Sequence, residues 1–374
     1  MTNEKFDLAI IGSGGGAFAA AIRATGLGKR VVMVERGTVG GTCVNTGCVP
    51  SKALLAAAEA RHVALDSARF PGVAASAGPV DMPALIQGKA ALVESMRTEK
   101  YVDLAADYGW TMISGAASFT GTQDAPLLRV ISPDGAVRTI EAGHYLVATG
   151  SAPYVPPVPG LAEAGYLTST TAMDLTEVPE SMLVLGGGYV ALEQAQLFAR
   201  LGSQVTVLVR SRLASKEEPE VSRTLQEVFA DEGIRVVRRA VPTRVSRDAA
   251  TGQVVVTADV SGGSQEFRAD QVLVALGRRP ATDGLGLDRV GVKTGDLGEV
   301  VVRLARERAV DPLSVLGEQN RAATVRVTLA NPSGAWRPGL LVNIGVSVER
   351  FKAAVVVPES ALQSWEQQTV AFAR

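Results

Sequence analysis

Residues Phe6 to Ala17 read FDLAIIGSGGGA, and this stretch decides the fold of the first part of the chain. Phe6 to Ile11 is short and mostly apolar, which is typical of a buried parallel strand. The strand leads directly into Gly12, Gly14 and Ala17, which match the pattern G-x-G-x-x-G/A. In this pattern the first glycine permits a tight turn, the second lets the backbone approach a pyrophosphate, and the third small residue keeps the following helix near the strand.

The residues after this turn complete a nucleotide-binding unit. A helix is predicted to continue through Ala19 to Ala24, and a second strand is predicted at Arg30 to Val34. That strand ends at Glu35, whose carboxylate can accept hydrogen bonds from the ribose hydroxyls of an adenine dinucleotide. Glu35 follows Gly12 at close to the expected spacing of roughly 20 residues. A glycine-rich turn can exist for steric reasons alone, but the strand, the helix and the acid together favour dinucleotide binding.

The same pattern recurs later in the chain. A strand is predicted at Ser181 to Leu185, followed by a glycine turn, a helix to Leu201 and a strand at Gln204 to Val209. The matching residues of this second turn are Gly186, Gly188 and Ala191. We therefore predict an α/β fold with two Rossmann-like dinucleotide-binding domains. Two such sites in one chain indicate electron transfer between two nucleotides, one of which is commonly a flavin.

The second repeat differs from the first at the end of its second strand. Arg210 stands where an acid would favour the 2′-hydroxyl of NAD, and Arg212 is close behind. A guanidinium group suits the 2′-phosphate of NADP. The alternative is that both arginines only solvate the end of a strand. We predict NADPH as the second nucleotide.

Charge and hydropathy exclude several classes of protein. The 374 residues include 37 Lys and Arg against 38 Asp and Glu, a net charge of -1 that predicts no nucleic-acid partner. Leu8 to Ile22 could imitate the core of a signal peptide, but Asp7 precedes this run and Gly12 to Gly16 interrupts it. No other run approaches the length of a membrane helix. We expect a cytoplasmic protein without a transmembrane segment.

Both cysteines of the chain lie in Gly40 to Lys52, GGTCVNTGCVPSK. They could form a structural disulfide, half of a metal site, or a redox pair that opens and closes during turnover. Two cysteines in a chain of this length are too few to form a set of disulfides that stabilises the fold. The chain has only His62 and His144 as histidines, and neither lies at ligand spacing to the cysteines. The redox pair is therefore favoured.

The spacing of the cysteines predicts an irregular backbone between them. Residues five apart in a regular helix point to different faces, and their Cα atoms are too far apart for a comfortable disulfide. If Cys43 and Cys48 are joined, the segment must contain a distorted turn, which Asn45 and Gly47 favour. A bond in such a turn could be strained and reducible, as a catalytic disulfide requires.

The segment resembles the redox-active motif of the pyridine nucleotide-disulfide oxidoreductases, and within that family it is most similar to the mercuric reductases. The resemblance covers about residues 4–301. It includes ATGSAP at Ala148 to Pro153, Glu193 on the helix of the second turn, and VLVALGRRPAT at Val272 to Thr282. It implies a flavoprotein that uses FAD and NADPH to reduce a disulfide or Hg(II).

The resemblance also implies a role for each matching residue. Cys43 would meet the substrate, Cys48 would lie beside the flavin ring, and both would hold Hg(II) transiently. Lys52, in a buried pair with Glu193, would lie near the flavin nitrogen that accepts hydride. The residues implied in FAD binding are Gly12, Gly14, Ala17, Glu35, Thr42, Thr149 and Gly150. Those implied in NADPH binding are Gly186, Gly188, Ala191, Arg210 and Arg212.

The resemblance ends after Val290 to Val302. A family member should continue to an Ala-x-Gly-Asp element that contacts the flavin and then to a dimerisation domain, and the sequence shows neither. Residues 314–374, with LANPSGAWRPGLLVNI at Leu329 to Ile344, instead resemble the β-barrel region of periplasmic adaptor subunits of heavy-metal efflux pumps. We therefore expect weakened flavin retention, impaired turnover and no family-type homodimer. The alternative is a non-catalytic fusion that retains nucleotide binding or adaptor-type protein contact.

These observations predict the domain organisation. Residues 1–150 and 279–302 form the FAD-binding domain, and residues 151–278 form an inserted NAD(P)-binding domain. The proline-rich residues 152–160 connect the two domains. Residues 303–374 form a small β-rich, adaptor-like module.

Overall fold

The computed structural model describes residues 4–301 and the backbone of residues 362–365 and 368–371. The chain divides into two units, Met1–Val300 and Val301–Arg374. In the second unit, the described backbone forms one antiparallel pair of short strands. The predicted adaptor-like module at 303–374 otherwise lies outside the described residues. Among the described residues, no helix is both long enough and apolar enough to cross a membrane.

The first unit contains both helices and strands. Its described α-helices are α1 (Gly15–Gly26), α2 (Gly41–Asn45), α3 (Cys48–Leu65), α4 (Met82–Arg97), α5 (Leu104–Asp107), α6 (Leu161–Ala164), α7 (Tyr189–Leu201) and α8 (Pro219–Asp231). Its described strands are β1 (Glu4–Ile11), β2 (Val31–Glu35), β3 (Thr111–Ser114), β4 (Ala116–Gly121), β5 (Pro126–Ile131), β6 (Val137–Val147), β7 (Ser151–Pro153), β8 (Ser181–Leu185), β9 (Gln204–Val209), β10 (Arg235–Arg238), β11 (Ala240–Arg247), β12 (Val254–Val260), β13 (Gly263–Ala269), β14 (Gln271–Val274) and β15 (Arg278–Pro280). In the second unit, β16 (Leu362–Trp365) pairs with β17 (Gln368–Ala371).

The first sheet has the strand order β3-β2-β1-β6-β5-β4. Strands β3, β2, β1 and β6 are parallel, and β5 and β4 extend the sheet antiparallel to β6. The apolar residues of β1 and β2 are buried because helices cover a parallel sheet on its faces. The predicted strand-turn-helix is therefore present, with β1 beginning two residues earlier than Phe6.

The second sheet is parallel throughout, in the order β10-β9-β8-β14. Strands β8 and β9 have the bounds expected from the sequence, and α7 ends at the predicted Leu201. An antiparallel sheet of β11, β12 and β13 adjoins this unit along the chain. The α/β class with Rossmann-like parallel sheets is thus confirmed.

A two-stranded ribbon joins the two sheets. The chain leaves β6 through β7 on its way to the second sheet and returns through β15, and these two strands pair antiparallel. The predicted connection at 152–160 begins in β7, and residues 154–160 form neither helix nor strand. The domain limits at residues 150 and 278 stay predictions.

Helix α3 packs against the second nucleotide-binding unit. Its buried residues Leu54 and Ala58 belong to the same apolar cluster as Ala191 and Ala195 of α7. The small alanine side chains permit close approach of the two helices. The helix that begins at Cys48 therefore contacts the helix that begins after the second glycine turn.

Candidate active site

The first glycine turn has the close contacts that a nucleotide-binding turn requires. Gly12 has a φ of 103°, and a Cβ placed on it would lie 2.3 Å from the carbonyl oxygen of Ala148. Its amide donates to the carbonyl oxygen of Val34 at 2.8 Å. Gly14 is the N-cap of α1, and no side chain caps this helix. Ala17 is fully buried, as expected of the residue that keeps the helix near the strand.

The second glycine turn repeats these contacts. Gly186 has a φ of 131°, and a Cβ placed on it would lie 2.3 Å from the carbonyl oxygen of Ala275. Its amide donates to the carbonyl oxygen of Leu208 at 3.0 Å. Gly188 is the uncapped N-cap of α7, and Ala191 is fully buried. Both turns therefore have the same architecture at the carboxyl end of a parallel strand.

Both turns fit the pyrophosphate of a dinucleotide. A Cβ placed on Gly15, Gly16 or Gly188 would meet no atom within 4 Å, so space is open beside each turn. The first backbone amides of α1 and α7 have no side-chain cap. Unpaired amides and the helix dipole favour an anion at this position.

Glu35 lies at the end of β2, beside the first turn. Its Oε2 accepts a hydrogen bond from Ser13 Oγ at 2.6 Å, and its Oε1 accepts one from the amide of Gly37 at 2.8 Å. Thr149 and Gly150 follow β6 at the same edge of the sheet, where Gly150 accepts a hydrogen bond from the amide of Ala281 at 2.8 Å. The structure thus brings all the residues predicted for the first nucleotide, except Thr42, to one edge of one sheet.

The segment that carries the thiols packs directly on the first glycine turn. The amide of Gly40 donates to the carbonyl oxygen of Ser13 at 3.1 Å. Gly41 has a φ of 67°, and a Cβ placed on it would lie 2.5 Å from the Cα of Gly14. No side chain larger than hydrogen fits at Gly41 without displacing the turn. Thr42 follows Gly41 in this segment, and its place beside a bound flavin stays a prediction.

The two cysteines lie on two different helices. Cys43 is half-buried in α2, and Cys48 is the exposed first residue of α3. Between them the helix is interrupted at Thr46 and Gly47. A Cβ placed on Gly47 would lie 2.9 Å from the carbonyl oxygen of Thr42, so this position also favours glycine. The irregular backbone expected between the cysteines is present, and their pairing as a disulfide stays a prediction.

Asn45 holds the thiol segment in this shape. Its Nδ2 donates to the carbonyl oxygens of Val39 and Gly41, both at 2.9 Å. Its Oδ1 accepts a hydrogen bond from Arg97 Nη1 of α4 at 3.1 Å. Arg97 could not be recognised from its spacing, because it lies 52 residues from Asn45 along the chain.

Lys52 and Glu193 form the predicted ion pair, with 2.5 Å between Nζ and Oε1. The expectation that this pair is buried is wrong, because the two side chains are 60% and 40% exposed. Leu54 and Ala58 form the buried face of α3, and Lys52 lies outside that face. In this exposed position, solvent screens the attraction between the two charges.

The two arginines predicted for NADPH have different environments. Arg210 follows β9 and is exposed. Arg212 is half-buried, and its Nη2 donates to the carbonyl oxygens of Ser215 at 3.2 Å and Glu217 at 2.6 Å. Arg212 therefore holds the loop after β9, whereas Arg210 can contact a ligand.

Arg238 is a neighbour of Arg210 that sequence reasoning missed. It ends β10 and pairs in register with Val209, the last residue of β9. Its side chain is exposed, and its Nε donates to the carbonyl oxygen of Ser211 at 3.4 Å. A signal was present in the sequence: β10, the third strand of the second unit, ends in an arginine, just as Arg210 follows β9.

Arg278 was missed as well. Its Nε donates to Ser151 Oγ at 2.8 Å, and its Nη2 donates to Thr42 Oγ1 at 3.5 Å. It therefore ties the β7–β15 ribbon to the thiol segment. The two adjacent arginines of LGRRPAT, Arg278 and Arg279, were the signal available in the sequence.

The hydrogen bond to the carboxylate of Glu217 raises the pKa of Tyr189, which is the exposed first residue of α7. In the part of the chain that the structure describes, no group of three His, Cys, Asp or Glu side chains could hold a metal ion.

Several known proteins are similar to this chain. The family model of the pyridine nucleotide-disulphide oxidoreductases matches residues 6–330. A mercuric reductase of Streptomyces lividans is 60% identical over 302 residues, which are 81% of this chain and 63% of that protein. One of Staphylococcus aureus is 44% identical over 79% of this chain and 52% of its own length.

A solved structure has the same fold. It is a Cu(II) complex of the HOCl-induced flavoprotein disulfide reductase RclA from Escherichia coli, with a TM-score of 0.68 and 28% identity. The match covers 80% of this chain and 62% of that chain. This chain thus spans 63% and 52% of the length of these two mercuric reductases.

Proposed function

Because the chain belongs to the pyridine nucleotide-disulphide oxidoreductase family, we propose that it passes electrons from NADPH through FAD to Cys43 and Cys48. The thiols then reduce Hg(II), or a disulfide. Members of the family use FAD and NAD(P)H. The observation that carries the proposal is the contact of the thiol segment with the first nucleotide turn, where Gly41 faces Gly14 without room for a Cβ.

The two turns provide the two nucleotide sites. The uncapped end of α1, with Glu35 and the Thr149–Gly150 segment, would hold FAD, and Thr42 would lie beside it. The uncapped end of α7, with Arg210, would hold NADPH. Bound there, FAD would supply acceptance of a hydride from NADPH and two-electron reduction of a disulfide.

The cysteines perform the exchange of electrons. Two electrons and two protons open a Cys43–Cys48 disulfide to two thiols. The thiolates are soft ligands that suit the soft ion Hg(II). Their two electrons reduce Hg(II) to Hg(0) as the disulfide forms again. Cys48 is the first residue of α3, and the first turn of this helix contains no acidic residue.

Lys52 supplies a positive charge one helical turn after Cys48. Residues four apart lie on the same side of a helix, so the ammonium group lies on the side of the thiol. Glu193 accepts a hydrogen bond from Nζ. We propose that this positive charge favours the acceptance of hydride next to it.

Residues 314–374 are outside this proposal. Their resemblance to efflux adaptors stays a prediction, as does the cytoplasmic location. The family match extends to residue 330 and so overlaps the first residues of that segment.

The test is NADPH oxidation by the purified chain with excess FAD, excess thiol and Hg(II), or with a small disulfide in its place. We expect consumption of NADPH that depends on the acceptor and is lost in Cys43→Ser, while the flavin absorbance of this variant is unchanged. Arg268→Met, remote from both turns, is the control. Flavin and NADPH binding without acceptor-dependent oxidation would support the non-catalytic alternative instead.

A further inference from the structure

Helices α3 and α7 run in the same direction and are joined by ionic contacts at two levels. Lys52 of α3 pairs with Glu193 of α7, and seven residues later Glu59 of α3 pairs with Arg200 of α7. The signs are opposite at the two levels, with the cation on α3 at the first and on α7 at the second. The alternation disfavours a shift of seven residues, which would bring Glu59 to Glu193 and so place two like charges together.

Arg200 is the centre of the second level. Its side chain is only 15% exposed, and its Nη2 lies 2.6 Å from Oε1 of Glu232, which is 11% exposed. Its Nε donates to Glu232 Oε2 at 2.9 Å, so the contact with this carboxylate is bidentate. Arg61 of α3 donates to the carbonyl oxygen of Arg200 at 2.7 Å. Both the side chain and the backbone of this residue are therefore held.

The strengths of the two levels differ. The pair of Lys52 and Glu193 is exposed and free to separate at little cost, as is typical of surface ion pairs. The pair of Arg200 and Glu232 is largely buried and bidentate, a geometry that fixes both side chains. Glu232, at the end of α8, therefore holds the Arg200 side chain in place, and that side chain is the partner of Glu59 on α3.

We propose that Arg200 is a positioning residue that fixes the register of α3 against α7 and thereby keeps Lys52 on Glu193. The register matters because both helices begin at the site: α3 at Cys48, and α7 at the second glycine turn. A shift by one residue moves a side chain by about 1.5 Å along the helix and turns it by about 100° around the axis, which would direct Lys52 away from Glu193. This inference rests on the proposed function only for its consequence in turnover.

Carbodiimide cross-linking measures the contact directly. The reagent activates a carboxylate, and a lysine in contact with it forms an amide, which proteolysis and mass spectrometry then identify. Lys5 and Glu141 are an internal reference in the same protein, since their ion pair is 3.1 Å long, similarly exposed and distant along the chain from α3 and α7. The measured quantity is the ratio of the Lys52–Glu193 product to the Lys5–Glu141 product.

We expect Arg200→Met to lose most of the Lys52–Glu193 product relative to the reference, and Arg200→Lys to recover part of it. Glu59→Gln, which removes an exposed partner, should lower the ratio even if Arg200→Met fails to fold. Arg268→Met is the matched control, because Arg268 also contacts two carboxylates. It should leave the ratio unchanged.

Measurement of NADPH oxidation distinguishes a positioning role of Arg200 from a purely structural one. NADPH oxidation should fall in the same order as the cross-link ratio across the Arg200 and Glu59 variants. An unchanged ratio in folded Arg200→Met, or a lowered ratio with full turnover, would overturn the proposal. Since the cross-link needs neither nucleotide nor acceptor, a wild type that lacks oxidase activity but shows the expected ratios would contradict the proposed function alone.

Discussion

Lys52 Nζ lies 2.5 Å from Glu193 Oε1, although the two residues are 141 positions apart. The contact joins the helix that begins at Cys48 to the helix of the second glycine turn. It thereby connects the thiols with the second nucleotide site through one pair of side chains.

Removal of the lysine should lower turnover without lowering stability. We expect Lys52→Met to reduce NADPH oxidation by about one to two orders of magnitude, the usual effect of losing one electrostatic contact in an active site. The free energy of unfolding should change by less than about 1 kcal/mol, because the pair is exposed. Lys5→Met, which removes another exposed pair, is the control and should retain full turnover. Unimpaired turnover in Lys52→Met would be inconsistent with the proposed role.

Two arginines, Arg210 after β9 and Arg238 at the end of β10, should decide whether the protein binds NADPH or NADH more tightly. Arg210→Glu should weaken NADPH binding by about tenfold or more, the effect of losing a charge-assisted contact. Arg238→Gln should weaken it less, and NADH binding should not fall in either variant. Titration by intrinsic fluorescence provides the affinities. Equal affinity of the wild type for NADPH and NADH would show that these arginines do not recognise a 2′-phosphate.

Substitution of Arg212 should affect nucleotide binding differently from substitution of Arg210. Because it donates to the carbonyl oxygens of Ser215 and Glu217, Arg212→Gln should loosen the loop after β9. We expect the affinities for NADPH and NADH to fall together in this variant. Hydrogen exchange of the loop amides should rise. A selective loss of NADPH would instead indicate direct contact of Arg212 with the phosphate.

The close approach of Gly41 to the first turn predicts a loss of flavin. Gly41→Ala places a Cβ where the Cα of Gly14 would be 2.5 Å away, at a φ of 67° that already disfavours a side chain. Flavin absorbance after desalting should fall well below the wild-type value. Gly88→Ala is the control, because its Cβ meets no atom within 4 Å in the middle of α4. It should retain flavin and gain about 0.5–1 kcal/mol of stability.

The buried pair of Arg200 and Glu232 should make stability depend on pH. Burial by itself would raise the pKa of Glu232, but the hydrogen bonds and charge of Arg200, with Gln196 and His62, hold that pKa below its ordinary value. A lowered pKa contributes stability above the unfolded value of about 4.3, and this contribution is lost as the pH falls through the folded value.

Glu232→Gln should therefore destabilise the protein by about 3 kcal/mol near neutral pH, with a difference that shrinks below about pH 4. Urea unfolding at a series of pH values measures it. Glu266→Gln, which breaks an exposed contact of Arg268, should cost less than about 1 kcal/mol. A difference for Glu232→Gln that stays constant down to pH 3 would contradict the assignment.

The parts of the fold that local spacing encodes could be predicted from the sequence. The Gly12 turn and Glu35 lie within one strand-turn-helix-strand unit, and each residue type there has a steric or hydrogen-bonding reason. The second unit could be recognised because it repeats the first. Strands β4 and β5 and the sheet of β11 to β13 carry no such signature.

Contacts between distant elements could not be predicted in the same way. The pairing of Lys52 with Glu193 followed only from a family resemblance, and its exposure depends on how α3 packs through Leu54. The place of Arg238 depends on the register of β10 against β9. The contacts of Arg212 with the carbonyl oxygens of Ser215 and Glu217 depend on the shape of the loop after β9. Each outcome is set by tertiary packing rather than by residue type and spacing.

The central claim is that NADPH electrons reach Cys43 and Cys48, and anaerobic thiol titration tests it most directly. The oxidised, FAD-loaded chain is treated with one equivalent of NADPH, and its thiols are counted with a disulfide reagent before and after. We predict that two thiols per chain appear with NADPH, and that none appears in Cys43→Ser. A thiol count that NADPH does not change, in protein with flavin bound, would contradict the claim.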